Sequence, residues 1–565
     1  MFTQWLYRCL PGFSIITLFV LLLLSSREAF PGTWRGLTRD KHRDPELSLA
    51  KKVFIVYTVL VHLNTLLFTG RLSWSLSYAY AQTSKLLKRR AGHSPSGTLN
   101  PMSSVDDTFL SALDTKSTQV SLTKVLGEVV HAIILPNYYE DFGTLRETLD
   151  VLARHQWARS QYEVYLAMEQ REVRAAEKAE KLALLYGQSF ALIQATFHPD
   201  GLPLEVAGKN SNVAFAARRI RQIHLAELES GSCNVIITVM VCTSNQVLYS
   251  CPIIFDRNSS DSPILVRCAD LIWSFADLST MCPSSKVSIP TSVYSLPLTL
   301  ASAVGGWDSD PTSIGEDLHM MLKCYFSTHG NLVSRVIHAP ASQCNVSSHI
   351  TRPGLSRNLH TCAARYRQAL RYMWGALDSG YAARNTMRLT QFSRRCRLLG
   401  SRHLSLMHLL WEAHFLPCHF TILLTFSMMY EQAALYTSTP LHPAITFTFT
   451  FTVWIRTLSF IGMNVCISLY NRWYKLCFDT RKQDSLLGNS NVGRWSEPAF
   501  GGGNSGFSDR APWYRLTFLL ERVAFPIAGI VFGAVPAGHA VFMHLWTDRL
   551  AYHISKKPTL GTVAV

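Results

Sequence analysis

Long apolar runs, in two groups around a middle of different texture, constrain this chain most. The first, Leu10 to Ser25, contains Phe13-Ser-Ile-Ile-Thr-Leu-Phe-Val-Leu-Leu-Leu-Leu24, and the second, Val53 to Gly70, follows Lys51-Lys52. After Arg397 come Phe415 to Tyr430 (with a start as early as Leu406), Ala444 to Tyr470 and Val523 to Leu545. A membrane-crossing helix needs ~20 predominantly apolar residues. The runs therefore predict five transmembrane helices, about 10–25, 53–70, 406–430, 444–470 and 523–545. The first is short, and a signal peptide is its rival reading. Its continuation, Ser25-Ser-Arg-Glu-Ala, lacks a convincing small-residue cleavage site. Composition agrees with a membrane protein carrying a soluble part. Charged residues make up 16%, against about 25% in soluble domains. Disorder, collagen and coiled coil are excluded.

The organisation follows. Residues 1–91 hold two membrane helices with basic loops, and 92–123 form a polar Ser/Thr/Gly/Pro-rich linker. Residues 124–400 form a soluble domain. Residues 401–565 hold three more membrane helices and a Gly/Ser-rich loop, 481–512. Within the middle region, β-branched runs alternate with helical patterns. Val129–Leu135, Glu163–Met168 and Asn234–Met240 read as strands. Asp141–His155, Glu172–Tyr186 and Val213–Leu228 read as helices. That alternation predicts a Rossmann-like α/β domain with a mostly parallel sheet.

Loop charge sets the expected orientation. The connection Glu431 to Pro443 has no Lys or Arg, whereas the next loop holds Arg472, Lys475, Arg481, Lys482, Arg494, Arg510 and Arg515. The positive-inside rule places the second loop, and with it the α/β domain, in the cytosol. The basic loop 35–43 opposes this at the N-terminal end. The net charge of +16 thus needs no nucleic acid. Arg456, in the middle of its run, is expected to face the bundle interior, as part of a structural ion pair or a functional site. The 13 cysteines form no Cys-x-x-Cys pair and read as free buried thiols of a reducing compartment. The membrane itself is the plasma membrane or that of the Golgi or ER.

Strand ends in α/β domains carry ligand groups. The first ends in Pro136-Asn137-Tyr138-Tyr139-Glu140 and the second in Glu169. Gly208-Lys209 with Asn212 precedes the third helix. Gly305-Gly306-Trp307 is followed by Glu316-Asp317, and further on stand Gln368, Arg371 and Trp374. In this order they resemble the membrane-embedded family 2 glycosyltransferases, the group of chitin, cellulose and hyaluronan synthases. Fungal multi-pass proteins of the glycosyltransferase 2-like type are the nearest resemblance, over about Val125 to Trp374 and the flanking helices.

The resemblance implies a GT-A-type fold and an inverting, hexosyltransferase-type reaction. A sugar would move from a UDP-sugar donor to a polysaccharide or lipid acceptor at the membrane. Pro136, Asn137, Tyr138 and Glu140 would then hold uridine, and Glu169 the base or ribose. Gly208, Lys209 and Asn212, with Gln368, Arg371 and Trp374, would serve the diphosphate and the channel wall. Gly305, Gly306 and Trp307 would shape the acceptor site. Asp317, with Glu316, would supply the base that deprotonates the acceptor hydroxyl. Each has a plain structural alternative: Glu169 as a solvated acid, Asp317 as a helix cap, the Gln368–Trp374 segment as an interfacial amphipathic helix.

One element departs from the family pattern. Mg²⁺ or Mn²⁺ is expected there, held by Asp-x-Asp after the strand Asn234–Met240. Here the chain continues Val241-Cys-Thr-Ser244 and by Leu248 to Asp256 resembles the following strand. The Asp-x-Asp and about one helix are missing together, the pattern of a skipped coding segment. No metal ligands are assigned. Asp308-Ser-Asp310 fits as a string but in the wrong place, and Asp256 is the nearest other acid. The alternative function is therefore a catalytically impaired homologue acting as a membrane partner.

Overall fold

The computed structural model describes residues 2–26, 47–92, 129–202, 205, 208–232, 234–238, 247–257, 259, 262–309, 315–346, 354–392, 400–438, 440–491 and 516–550. The linker 92–123 beyond Gly92, most of the loop 481–512 and the junction 239–246 lie outside them.

Among the described residues nine strands form: β1 Val130–Asn137, β2 Tyr162–Glu169, β3 Leu192–His198, β4 Val235–Thr238, β5 Val247–Ser250, β6 Ile253–Phe255, β7 Tyr294–Pro297, β8 Val333–Val336 and β9 Ala341–Gln343. Seven make one sheet in the order β3-β2-β1-β4-β7-β5-β8, and β6 pairs with β9. β7 runs antiparallel to both its neighbours, and the other pairings are parallel. The domain is thus the mixed, mostly parallel α/β fold expected.

Side chains alternate across a strand, and β1 uses both faces. Ile133 packs with Leu145, Leu149 and Leu152 of the helix Phe142–Ala153. Ala132 and Ile134 meet Val213, Ala216 and Ile220 of the helix Lys209–Ile223. Each fully buried aliphatic side chain contributes roughly 1.5–3 kcal/mol relative to exposure. Helices therefore cover both sheet faces, which forces ligands to the strand ends. Asp141 starts the helix Phe142–Ala153 by accepting from Gly143 N at 3.0 Å, a side-chain cap that a sequence boundary at Asp141 anticipates. The sequence reading passed over β3. Its burial pattern is mostly intermediate, which fits an edge strand and leaves little apolar signal.

Among the described residues, four helices have the length and apolar character of a membrane span: Trp5–Ser25, Leu49–Lys88, Pro443–Arg481 and Leu516–Met543. The expected span 406–430 is instead two helices, Ser401–His414 and Leu416–Tyr436, bent by 59°. Pro417 at the start of the second lacks an N–H, so the helix restarts there. The first of the pair packs Leu406 and Leu410 into the α/β core, a task no lipid-facing segment has.

The helices Leu49–Gly92 and Pro443–Asn491 run side by side in one direction. Thr65 Oγ1 meets Ser459 Oγ at 3.0 Å, and Trp473 Nε1 donates to Thr83 Oγ1 at 3.1 Å. Arg456 faces the bundle as expected, donating to His62 Nε2 at 3.2 Å and Thr452 Oγ1 at 3.4 Å. Both helices overrun the span and reach the α/β domain. Arg481 pairs with buried Asp256, and Thr83 Oγ1 donates to the His338 carbonyl at 3.2 Å. The basic end of Pro443–Asn491 thus meets the domain. Among the described residues the cysteines are free and mostly buried.

Candidate active site

The strand order reverses at β1: β2 and β3 lie on one side, β4 on the other. The crevice at the carboxyl ends of β1 and β4 is where such sheets bind ligands. Asn137 ends β1, buried. It donates to Glu172 Oε2 at 2.8 Å, and Lys178 Nζ donates to its Oδ1 at 3.3 Å and to the Glu140 carbonyl at 2.9 Å. Lys178 also pairs with Glu172. Tyr139 follows in the left-handed region at φ 56°, its N–H 3.1 Å from Glu172 Oε2. That conformation costs of order 1–3 kcal/mol in a non-glycine residue, and Glu172 holds it in place. Tyr138 lies under Arg171, 4.3 Å from guanidinium carbon to ring centre. Pro136 precedes them within β1. The Pro136–Glu140 loop is therefore braced by Glu172 and Lys178, two residues the sequence reading did not single out.

Glu169 is buried at 1% exposure, not a solvated acid. Parallel register sets it opposite His198. His198 Nδ1 lies 3.4 Å from its Oε2, and Nε2 lies 2.9 Å from Glu205 Oε2. Burial pulls the His198 pKa down, but the two carboxylates outweigh it and the pKa is raised. The Glu169 Oε1 has no hydrogen-bond partner among the described residues. His198 went unnoticed because β3 did.

Lys209 opens its helix and turns toward Glu316, with Nζ 3.1 Å from the carboxylate and 3.4 Å from the Ser292 carbonyl. Burial lowers its pKa, yet Glu316 and Asp317 more than offset that and the ammonium is stabilised. Asn212 sits elsewhere. Its buried amide donates to the Ala167 carbonyl at 2.7 Å and the Asn137 carbonyl at 3.4 Å, clamping the ends of β2 and β1. Gly208 is extended and leads into Lys209.

Glu316 and Asp317 form the first turn of the helix Glu316–Ser327 after Gly315. Glu316 is buried, and burial pushes its carboxyl up to about 7; Lys209 and Arg371 pull it down, Asp317 pushes it up. Asp317 is partly exposed. Its Oδ2 accepts from Ser292 N at 2.7 Å and its Oδ1 from Leu318 N at 2.9 Å. Ser292 is left-handed at φ 64°. One strained turn thus touches both Lys209, through its carbonyl, and Asp317, through its N–H. No sequence signal marks Ser292.

Gly305 and Gly306 are consecutive left-handed residues at φ 84° and 77°, closing the helix Leu298–Ala303; the Gly306 N–H donates to the Ala301 carbonyl at 2.7 Å. Glycine is the residue that adopts this pair without steric cost. Trp307 is buried, its Nε1 donating to Tyr294 Oη at 2.6 Å. Asp308 pairs with Lys323 at 2.7 Å and with His319 at 3.1 Å, and the other His319 nitrogen meets buried Asp378. Burial alone would lower the His319 pKa, but Asp378 and Asp308 drive it up to about 10. A raised His pKa stabilises the fold fully below pH 6.5 and is lost as pH rises through about 10. We expect the melting temperature to fall between pH 7 and pH 10, and His319→Gln to flatten that slope. A parallel slope in the variant would contradict the pairing.

The segment from Gln368 to Trp374 divides. Gln368 bonds Arg365 and, through Nε2, Tyr372 Oη at 3.0 Å. Arg371 lies over Tyr372, 5.3 Å from guanidinium carbon to ring centre, and its charge pulls the Glu316 carboxyl down. Trp374 is not brought to the cleft. It is buried with Ile15, Phe415 and Val541, its Nε1 donating to the Asp548 carbonyl at 3.1 Å. The ring stands in the short 3-10 turn Trp374–Ala376 that follows the helix Leu355–Met373.

The metal that the resemblance implies has no carboxylate in the sequence after β4 to hold it. Among the described residues no group of three or more His, Cys, Asp or Glu could hold an ion. Asp256 is taken by Arg481 and Ser342, and Asp308 by Lys323 and His319. Asp310 and the junction 239–246 lie outside the described residues; the junction sequence, Val-Met-Val-Cys-Thr-Ser-Asn-Gln, holds no carboxylate.

Residues 230–461 match the model of the family described as glycosyl transferase family group 2. That stretch runs from before β4 into the helix Pro443–Asn491, so it takes in Glu316, Asp317 and Arg371. Among solved structures, the chain is similar to the mannosyltransferase PcManGT from Pyrobaculum calidifontis, in complex with GDP-Man and Mn2+. Identity is 12%, coverage 74% of this chain and 97% of that one, and the TM-score 0.37. No curated protein matches the chain.

Proposed function

We propose that the chain is a membrane-bound inverting glycosyltransferase that moves a sugar from a UDP-sugar to a polysaccharide or lipid acceptor. The observation that carries this is the joint placement of Lys209, Glu316, Asp317 and Ser292 at the crevice, in a stretch largely inside the family match. The Pro136–Glu140 loop receives uridine. Glu169, at the end of β2, serves the base or ribose from behind Arg171, whose Nε lies 3.3 Å from its Oε2.

Lys209 and Arg371 face the diphosphate as fixed positive charges. Asp317, aimed by two backbone N–H groups, takes the proton of the acceptor hydroxyl. The hydroxyl oxygen bonds to the anomeric carbon, the bond to the diphosphate breaks, and its electron pair leaves with UDP. Glu316 stands behind as the partner that holds Lys209 until diphosphate replaces it. The Gly305-Gly306-Trp307 turn forms the acceptor side. No step is assigned to a metal.

One observation favours a second reading. The junction after β4 offers no carboxylate for a cation, which fits an impaired homologue that keeps the fold as a membrane partner. Radiolabelled UDP-sugars incubated with the protein in liposomes separate the two. Transfer to a lipid or polymer supports the first reading, and absence of transfer with every donor supports the second.

A further inference from the structure

The helix Leu516–Met543 is long and apolar enough to cross a bilayer, but both its ends meet the same layer of the protein. Near its start, Glu521 pairs with Arg267 at 2.8 Å on the helix Ile264–Thr280. Arg522 donates to the Asn464 carbonyl at 3.0 Å and Ser468 Oγ at 2.7 Å. Beyond its end, the Leu545 carbonyl accepts from Arg8 and from Cys9 Sγ at 3.5 Å, and His544 packs on Trp374 with ring centres 4.6 Å apart. Between them, Ala528 and Phe532 pack with Cys268 and Ala369, and Tyr366 Oη lies 3.1 Å from His539.

Depth can be counted along the crossing helices. At the side away from the domain, Ser25, Tyr430 and Phe449 share one level: Tyr430 Oη bonds the Ser25 carbonyl at 3.2 Å and its ring lies 5.9 Å from that of Phe449. At 1.5 Å per residue, Cys9 lies ~24 Å from that level and Asn464 ~22 Å. The two ends of the helix, at Arg522 and Leu545, therefore sit at nearly equal depth. Yet the helix between them is ~35 Å long, and a crossing would separate its ends by ~30 Å of hydrocarbon.

We propose that Leu516–Met543 does not cross the membrane but lies in its plane, within the leaflet on the domain's side, beneath the helix Leu355–Met373. Acyl chains of that leaflet cover its outer face. Leu516, Leu520, Val523, Ile527, Ile530 and Val535 stand exposed along it at helical spacing. The sequence holds no charged residue between Arg522 and Asp548. Trp546, 61% exposed, ends the stripe, and such rings favour the headgroup level. The described residues then cross four times, the bent pair supplying one crossing, and residues 544–550 lie on the domain's side. The helix Leu355–Met373, which carries Arg371, is held between this lipid-embedded helix and the crevice.

Impermeant maleimide labelling of the full-length protein in sealed vesicles tests this. Three exposed positions serve: Val151→Cys on the domain, Tyr436→Cys at the opposite turn and Arg549→Cys after the helix. The wild type gives the background from native thiols. Arg549→Cys is expected to label from the same face as Val151→Cys and opposite to Tyr436→Cys. Labelling of Arg549→Cys with Tyr436→Cys overturns the proposal. Thr547→Cys repeats the assignment if Arg549→Cys fails to fold. Disulfide cross-linking between two copies of Val523→Cys would show a protein rather than lipid on the stripe and would also overturn it.

Discussion

Asp317→Asn is expected to lower glycosyl transfer by at least ~10²-fold while changing UDP affinity less than about twofold. Both Asp317 oxygens accept backbone N–H groups, from Ser292 and from Leu318. An asparagine keeps the shape and one acceptor oxygen but cannot take a proton. The donor-side contacts, Lys209 to Glu316 and the Glu172–Lys178 brace, do not pass through Asp317. Turnover and binding therefore separate in this variant. Glu316→Gln is the contrast, because its first effect is on Lys209. Burial places the Glu316 carboxyl at about 7, where a base would also work well. A pure turnover loss in Glu316→Gln, with Asp317→Asn near wild type, would exchange the two roles.

Lys209→Ala is expected to weaken UDP binding at least ~10-fold, about 1.4 kcal/mol. The ammonium is held at the crevice by Glu316 and the Ser292 carbonyl, and its charge persists because the two acids outweigh burial. Removal leaves Glu316 buried beside Asp317 without its cation, so the carboxyl should rise further and repel diphosphate less than two ionised acids would. The loss measured is thus a lower bound on what Lys209 does in the intact site. Lys209→Arg keeps the charge but not the compact point geometry, and should fall between. Equal binding by Lys209→Ala and wild type would place the diphosphate elsewhere. Isothermal titration of each variant with UDP reads these outcomes.

What was legible from sequence tracks where the signal is periodic or chemically specific. β1 and β2 are apolar runs buried from both sides, and the helices over them show their faces at three- and four-residue spacing. Edge strand β3 has neither property, so His198 stayed hidden although it completes the setting of Glu169. The Glu316-Asp317 pair and the glycine turn were visible because acids at a helix start and paired left-handed glycines have narrow physical uses. Ser292, His319 and Asp378 were not, since a serine in a loop and a histidine on an apolar helix carry no pattern until the chain brings them together. Trp374 shows the reverse error. The resemblance grouped it with Arg371, but the ring stands in a 3-10 turn and is buried in the helix cluster. Hydropathy found the apolar segments. It could not tell a bent pair from one span, because composition does not record the direction in which a helix leaves its restart at Leu416.

The proposed nucleotide-sugar crevice relies on Lys209 and Arg371, and the junction after β4 offers it no carboxylate for a cation. Calorimetry of UDP binding to the full-length protein, with and without Mn²⁺, tests it most directly. Such sites hold a divalent ion by one or two carboxylates plus the substrate phosphates, and the strand end after β4 offers Val, Met, Cys, Thr, Ser, Asn and Gln. The expected result is weak UDP binding that Mn²⁺ changes by less than about twofold. Inserting an Asp-x-Asp segment after Met240 should make the binding metal-dependent. Strong Mn²⁺-enhanced binding by the unaltered chain would contradict this reading, and would mean that an acid now paired within the fold, Asp256 or Asp308 first, leaves its partner to hold the ion.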